Sequence, residues 1–166
     1  MLSVDDFKQV VKNAPLFSID LVVLNEKWEM LVGLRKNEPA SGYWFVPGGR
    51  VCKEEALSDA FRRISKAELG EAFERERFTM LGFYDHFYKN SCFDEMVSTH
   101  YINAPHLICI DSSKLRLPLE QHHAYRWVDI RAIKSDETIH HFSKIFLDEL
   151  IIHLKNQMPF MALELK

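Results

Sequence analysis

The chain has 166 residues, 47% hydrophobic and 27% charged, which is enough apolar material for one domain, residues 1–166, with a sizeable core. A formal charge of −3 gives no broad basic surface, so neither a nucleic-acid nor a membrane partner is expected, and an anionic ligand must be caught by a local cluster of Arg, Lys or metal. No apolar run approaches the roughly 18 residues of a membrane span. The acidic start MLSVDDFKQVVKN lacks the basic and apolar parts of a signal peptide. Cys52, Cys92 and Cys109 show no CxxC spacing and read as free thiols, so the expected location is cytoplasmic.

In chain order, residues 3–12 read as a short helix, capped by Ser3 or Asp5, with Phe7, Val10 and Val11 on one face. Phe17–Leu24 is a buried strand pattern interrupted only by Asp20. Asn25–Lys27 turns the chain, and Met30–Arg35 returns as a second strand. Tyr43–Val46 is a short aromatic strand running into Pro47-Gly48-Gly49. Glu54–Leu69 is helical, with Leu57, Ala60, Phe61 and Ile64 as its apolar stripe and Gly70 as its stop. Strands follow near 78–88, 97–104, 106–110 and 125–129. The last element is a helix from His141 to Leu154 with Phe142, Ile145, Phe146, Leu150 and Ile151 inward. Strands broken by a few helices, at hairpin-like spacing, predict an α+β chain: a mixed sheet flanked by helices in an α/β/α sandwich.

Glycines between a strand and a helix let backbone groups approach a phosphate or a metal without Cβ interference, although an isolated PGG is more often only a tight turn. The following helix changes that reading. Gly49, Glu55, Arg63, Glu68 and Gly70 fall at the offsets of the Nudix box, and YWFVPGG with the upstream strand ending at Arg35 is likewise similar to Nudix hydrolases. The family pattern places glutamates at positions 64, 67 and 68, which share one helix face and hold divalent metals. Here those positions carry Ile64, Ala67 and Glu68. A decayed, non-catalytic domain is one reading of that loss.

The remainder of the chain resembles the GDP-mannose mannosyl hydrolases, a divergent Nudix branch with the same shortened RxxxAELG box. Ser18–Asp20, Gly42–Val51, Asp85–Tyr88, Thr99–Tyr101 and Glu120–His122 match its SxD, GYWFVPGGRV, DHFY, THY and EQH segments in order. The resemblance implies hydrolysis of GDP-mannose, or of GDP-glucose, to GDP and free sugar, with inversion at the anomeric carbon. One Mg²⁺ per site, or Mn²⁺ in its place, is then held by Glu68, Gln121 and the Gly48 carbonyl. His122 is the implied base, whereas His123 and the pair His140 and His141 read as solvated. Arg35, Arg50 and Arg63 form the implied anion clamp, although Arg63 pairs equally well with Asp59 along the helix. Asp20 faces the sugar. His86 and Tyr101 contact the sugar or the phosphates, and Leu2 and Phe7 contact the nucleotide, in a homodimer.

The implied chemistry is consistent with a sparse metal face. A diphosphate neutralised by arginine and Mg²⁺ leaves readily from an anomeric carbon, which passes through an oxocarbenium-like state. Mg²⁺ keeps waters and takes phosphate oxygens, so few protein ligands suffice. Two other readings stay open: a pyrophosphohydrolase cutting the P–O–P bond, and a nucleotide-sugar-binding domain without catalysis.

Overall fold

The computed structural model describes residues 3–93 and 96–157. Helix α1 (Val4–Asn13) starts on Ser3, whose Oγ accepts the Asp6 N–H at 3.1 Å. Strands β1 (Leu16–Leu24), β2 (Glu29–Arg35), β3 (Trp44–Phe45) and β4 (Gly48–Arg50) lead into α2 (Leu57–Leu69), which Gly70 closes at φ +80°. Strands β5 (Thr79–Met80), β6 (Tyr84–Tyr88), β7 (Thr99–Cys109) and β8 (His122–Asp129) follow, then α3 (Ile130–Ile133) and α4 (Leu147–Gln157).

All eight strands join one mixed sheet. Its spine is β3-β2-β1-β7-β5, with β4 added to β1, β6 to β7 and β8 to β2. β1 and β7 run parallel through nine paired positions, and the other pairings are antiparallel. This is an α+β architecture, a mixed sheet with helices on its faces. Side chains alternate along β1. Ile19, Leu21 and Val23 enter the core under α2, against Phe61, Ile64 and Leu69. Val22 and Leu24 enter the opposite core with Phe146, Leu150 and Leu154.

Several elements differ from the sequence expectation. Pro105 was expected to divide a strand; instead β7 runs through it, and the neighbouring strand breaks between β5 and β6. Proline removes one ladder donor, and the gap sits where Gly82 takes φ +136° and Leu81 N–H still reaches the Pro105 carbonyl at 2.9 Å. Helix α2 begins at Leu57 and not at Glu54, because Glu54 sits at φ +62° and Glu55 folds back to accept the Cys52 N–H. Leu57 is consequently exposed. The terminal helix starts late, after a 3-10 turn at His141–Ser143, so Ile145 points outward while Phe142, Phe146 and Leu150 are buried.

That turn ties the C-terminal segment to the glycine turn. The fully buried Ser143 accepts the Val46 N–H through Oγ at 3.0 Å, just before Pro47-Gly48. Ser143→Ala leaves this buried donor unpaired and should lower stability by about 1–3 kcal/mol, read as a shift in the urea midpoint at unchanged slope. An unchanged midpoint would show that the bond is not part of the fold's support.

Candidate active site

The site is built around β4. Gly48 lies opposite Asp20 on β1, and a Cβ added to it would come within 2.6 Å of both Asp20 Oδ1 and the Ile19 carbonyl. Only glycine permits that approach, and it lets β4 separate two cavities. The first, of about 250 Å³, lies on the α2 side, with Glu68, Gln121 and His122 in its wall. The second, of about 120 Å³, lies on the other face, with Asp20, His86, Tyr88, Tyr101 and Asn103. Arg35, Gly48 and Gly49 line both.

On the α2 side, Ile64 packs against Gly49 where a metal-binding glutamate could stand, and Ala67 lines the cavity without a polar atom. Glu68 is 6% exposed, and its Oε2 lies 2.9 Å from His122 Nε2. Among the described residues no three His, Cys, Asp or Glu side chains gather into a metal-binding group. One carboxylate, the Gln121 amide and the Gly48 carbonyl are all hard oxygen donors, a set that fits Mg²⁺ when phosphate oxygens and water complete the shell.

His122 is not in a polar loop. It opens β8 opposite Arg35 and is 3% exposed, while His123 is exposed. A Cβ on Gly33 would strike the His122 ring at 2.3 Å, so the imidazole rests directly on the β2 backbone. Its Nδ1 is buried there without a partner among the described residues, which leaves Nε2, on Glu68, as the nitrogen toward the cavity.

The arginines divide. Arg63 does not pair with Asp59. It grips Glu55 through Nε and Nη2 at 2.6 and 2.7 Å and donates to the Arg50 carbonyl at 2.8 Å, holding the loop between β4 and α2. That grip lowers the Glu55 pKa to about 2. Arg35 lies over the Phe45 ring, with its Nε buried and unpartnered among the described residues. Arg50 sits 3.8 Å over the ring of Phe7, which packs edge-on against Phe93. Phe7 thus touches Arg50 of its own chain. Leu2 lies outside the described residues.

The second cavity is lined by buried polar side chains. Asp20 is 6% exposed and its Oδ2 has no partner among the described residues; burial raises its pKa to about 7, against smaller lowering effects from a hydrogen bond with Asn103 and the charge of Arg35. His86 stacks on Phe142 at 4.2 Å, and burial lowers its pKa to about 3, so it is neutral at working pH. Burial also raises Tyr88 and Tyr101, which stay protonated. His140 is not solvated as expected: it is half-buried among Tyr43, Phe45 and Tyr88, with its pKa lowered to about 4. Sequence reasoning missed Asn103 and Tyr88 as site residues. Asn103, like Asp20, is a polar residue inside an apolar strand, and that was a usable signal.

Comparison with known proteins follows this geometry. A family model described as the NUDIX domain matches residues 15–150. The chain belongs to the Nudix family. It is 41% identical over 113 residues to the low-salt glycan biosynthesis protein Agl8 of Haloferax volcanii, covering 68% of this chain and 70% of that protein. Among solved structures, the MutT NUDIX hydrolase of Burkholderia pseudomallei superposes at a TM-score of 0.67 with 25% identity, covering 83% of this chain and 99% of that one. The NUDIX domain of Shewanella oneidensis NrtR, complexed with ADP ribose, superposes at 0.65 with 12% identity over 92% and 99% of the two chains, and shows the shared fold. Among the described residues no helix of this Nudix domain is long and apolar enough to cross a membrane.

Asp20 makes stability depend on pH. Its folded pKa of about 7 stands above its unfolded value of 3.8, so the stabilisation from its protonated form is complete below 3.8 and is lost as pH rises through 7. In EDTA, Asp20→Asn should therefore gain stability over the parent progressively between pH 4 and pH 8, measured as the difference in thermal midpoints. Parallel midpoint curves would contradict the buried, proton-holding carboxylate.

Proposed function

We propose that this Nudix domain hydrolyses a GDP-hexose, GDP-mannose first and GDP-glucose as the related case, at the anomeric carbon. The observation that carries this reading is the helix face with one carboxylate: Glu68 stands alone beside Ile64 and Ala67, next to a separate polar cavity holding Asp20. Nudix hydrolases use divalent cations such as Mg²⁺, and attack on phosphorus draws on several carboxylate-held metals to activate water. Departure of a diphosphate from a sugar needs charge neutralisation on the leaving side only. The glycan-biosynthesis name of the Haloferax relative supports a sugar-bearing substrate.

In this reading Glu68, Gln121 and the Gly48 carbonyl would hold one Mg²⁺, which would supply positive charge to the diphosphate. Arg35 and Arg50 bind the diphosphate oxygens in bidentate fashion. Arg63 holds the loop that carries Arg50 in place. Asp20 faces the sugar ring and, when ionised, stabilises positive charge developing there. Water attacks C1 opposite the leaving group while the bond from C1 to the β-phosphate oxygen breaks, its electron pair leaving with GDP. His122 is the base of this reading: Nδ1 is sealed against Gly33, so the proton of that water goes to Nε2, which is open to it only once the Glu68 carboxylate has turned from the imidazole to the metal. His86 and Tyr101 border the sugar, and Phe7 steadies Arg50 at the nucleotide end.

The test is product analysis with GDP-mannose and Mg²⁺. GDP and mannose, the sugar first appearing as the β-anomer by NMR, are expected. GMP and mannose 1-phosphate would restore the pyrophosphohydrolase, and no turnover of any nucleotide sugar would leave a binding domain. His122→Ala should lower kcat by about 10²–10⁴-fold, the range for loss of a general base, with KM little changed. Gly33→Ala, which pushes the same ring aside, should lower kcat by about 10²-fold in a folded protein. Wild-type turnover in both variants would remove His122 from the mechanism.

A further inference from the structure

Six buried side-chain atoms lack a hydrogen-bond partner among the described residues, and four of them belong to residues lining the second cavity: Asp20 Oδ2, Arg35 Nε, His86 Nε2 and Asn103 Oδ1. Buried polar atoms are normally paired, so such a concentration marks a place where a ligand supplies the missing partners. Asn103 is the informative member. It is 1% exposed on β7, directly opposite Ser18 on β1, and its Nδ2 donates to Ser18 Oγ at 2.9 Å. A purely structural asparagine would use both ends of its amide. Here Ser18 fixes one end and the carbonyl oxygen is spare.

The chemistry of the spare atoms narrows the ligand. Asp20, two residues beyond Ser18 on the same face of β1, and Asn103 place two acceptors in one wall. A phosphate has only acceptors to bring and would meet the Asp20 carboxylate unfavourably. A pyranose brings hydroxyl donors on adjacent carbons, and each hydroxyl can also accept from Arg35 or His86. We infer that Asn103, oriented by Ser18, is a specificity residue whose Oδ1 accepts a hydrogen bond from one ring hydroxyl of the substrate sugar, beside a neighbouring hydroxyl held by Asp20. This rests on the nucleotide-sugar reading above and adds to it a residue: the sugar lies in the cavity of Asp20 and Asn103, with Asn103 reading one of its hydroxyls.

The experiment compares kcat/KM for GDP-mannose and its monodeoxy analogues in the wild type, Asn103→Ala and the near-isosteric Asn103→Leu, with thermal midpoints as a fold control and GDP inhibition constants as a control for the nucleotide end. The wild type should lose about tenfold or more on the analogue lacking the read hydroxyl. Asn103→Ala should lose a similar factor on GDP-mannose itself, mainly in KM, and be indifferent to that one deoxygenation, with GDP inhibition unchanged. Asn103→Leu should behave likewise if Asn103→Ala proves poorly folded. Retention of the wild-type pattern across the analogues would overturn the assignment, as would a parallel loss of GDP inhibition or a wild type that turns over no GDP-sugar. Products are identified in the same reactions. Release of GMP would refute the bond assignment alone, because the pattern across analogues still decides the role of Asn103.

Discussion

The close approach of Gly48 to β1 is the constraint on which the site depends. Asp20 Oδ1 and the Ile19 carbonyl occupy the space that any Cβ at position 48 would need. Because β4 can lie flat against β1, its two faces open into different environments, a cleft with Glu68, Gln121 and His122 under α2 and a polar cavity with Asp20 and Asn103 opposite. Arg35 lines both, so one guanidinium faces the two environments on either side of the strand. A side chain at position 48 would force the strands apart and merge or close these spaces.

The same geometry explains how the fold tolerates a reduced metal face. Ile64 and Ala67 are not vacancies: Ile64 belongs to the apolar core beneath α2 and rests on Gly49, and Ala67 lets the cavity reach the helix. Restoring a glutamate at position 64 would bury charge against a packed surface, whereas position 67 is exposed to the cavity. The electrostatic resources lie elsewhere, in Arg35 and Arg50 and in the buried pair of Glu68 and His122. Breaking one member of such a pair leaves the other buried and uncompensated, so the two residues act as a unit.

Much of this was legible in the sequence. The alternation of β1, the glycine turn and the helix stripe follow from local periodicity and turn chemistry, and Glu68, Gln121 and His122 do line one cavity. The departures arose where tertiary contacts override local signals. Pro105 reads as a strand end, yet β7 persists because β1 pairs along its whole length and the opposite neighbour absorbs the defect. EQHH reads as a polar loop, yet His122 is buried because Gly33, distant in sequence, leaves room for its ring. Arg63 has an attractive partner one helical turn away in Asp59, but Glu55, folded back by an irregular loop, offers a bidentate grip. Asn103 emerged only when buried atoms could be paired one by one.

The central claim is that water enters at carbon and not at phosphorus. Product identity alone does not settle it, because water attacking the β-phosphorus with loss of the sugar would also yield GDP and mannose. The decisive measurement is turnover of GDP-mannose in ¹⁸O-labelled water, followed by mass spectrometry of both products. The account predicts label at C1 of mannose and none in GDP, whereas label in a GDP phosphate oxygen would contradict it.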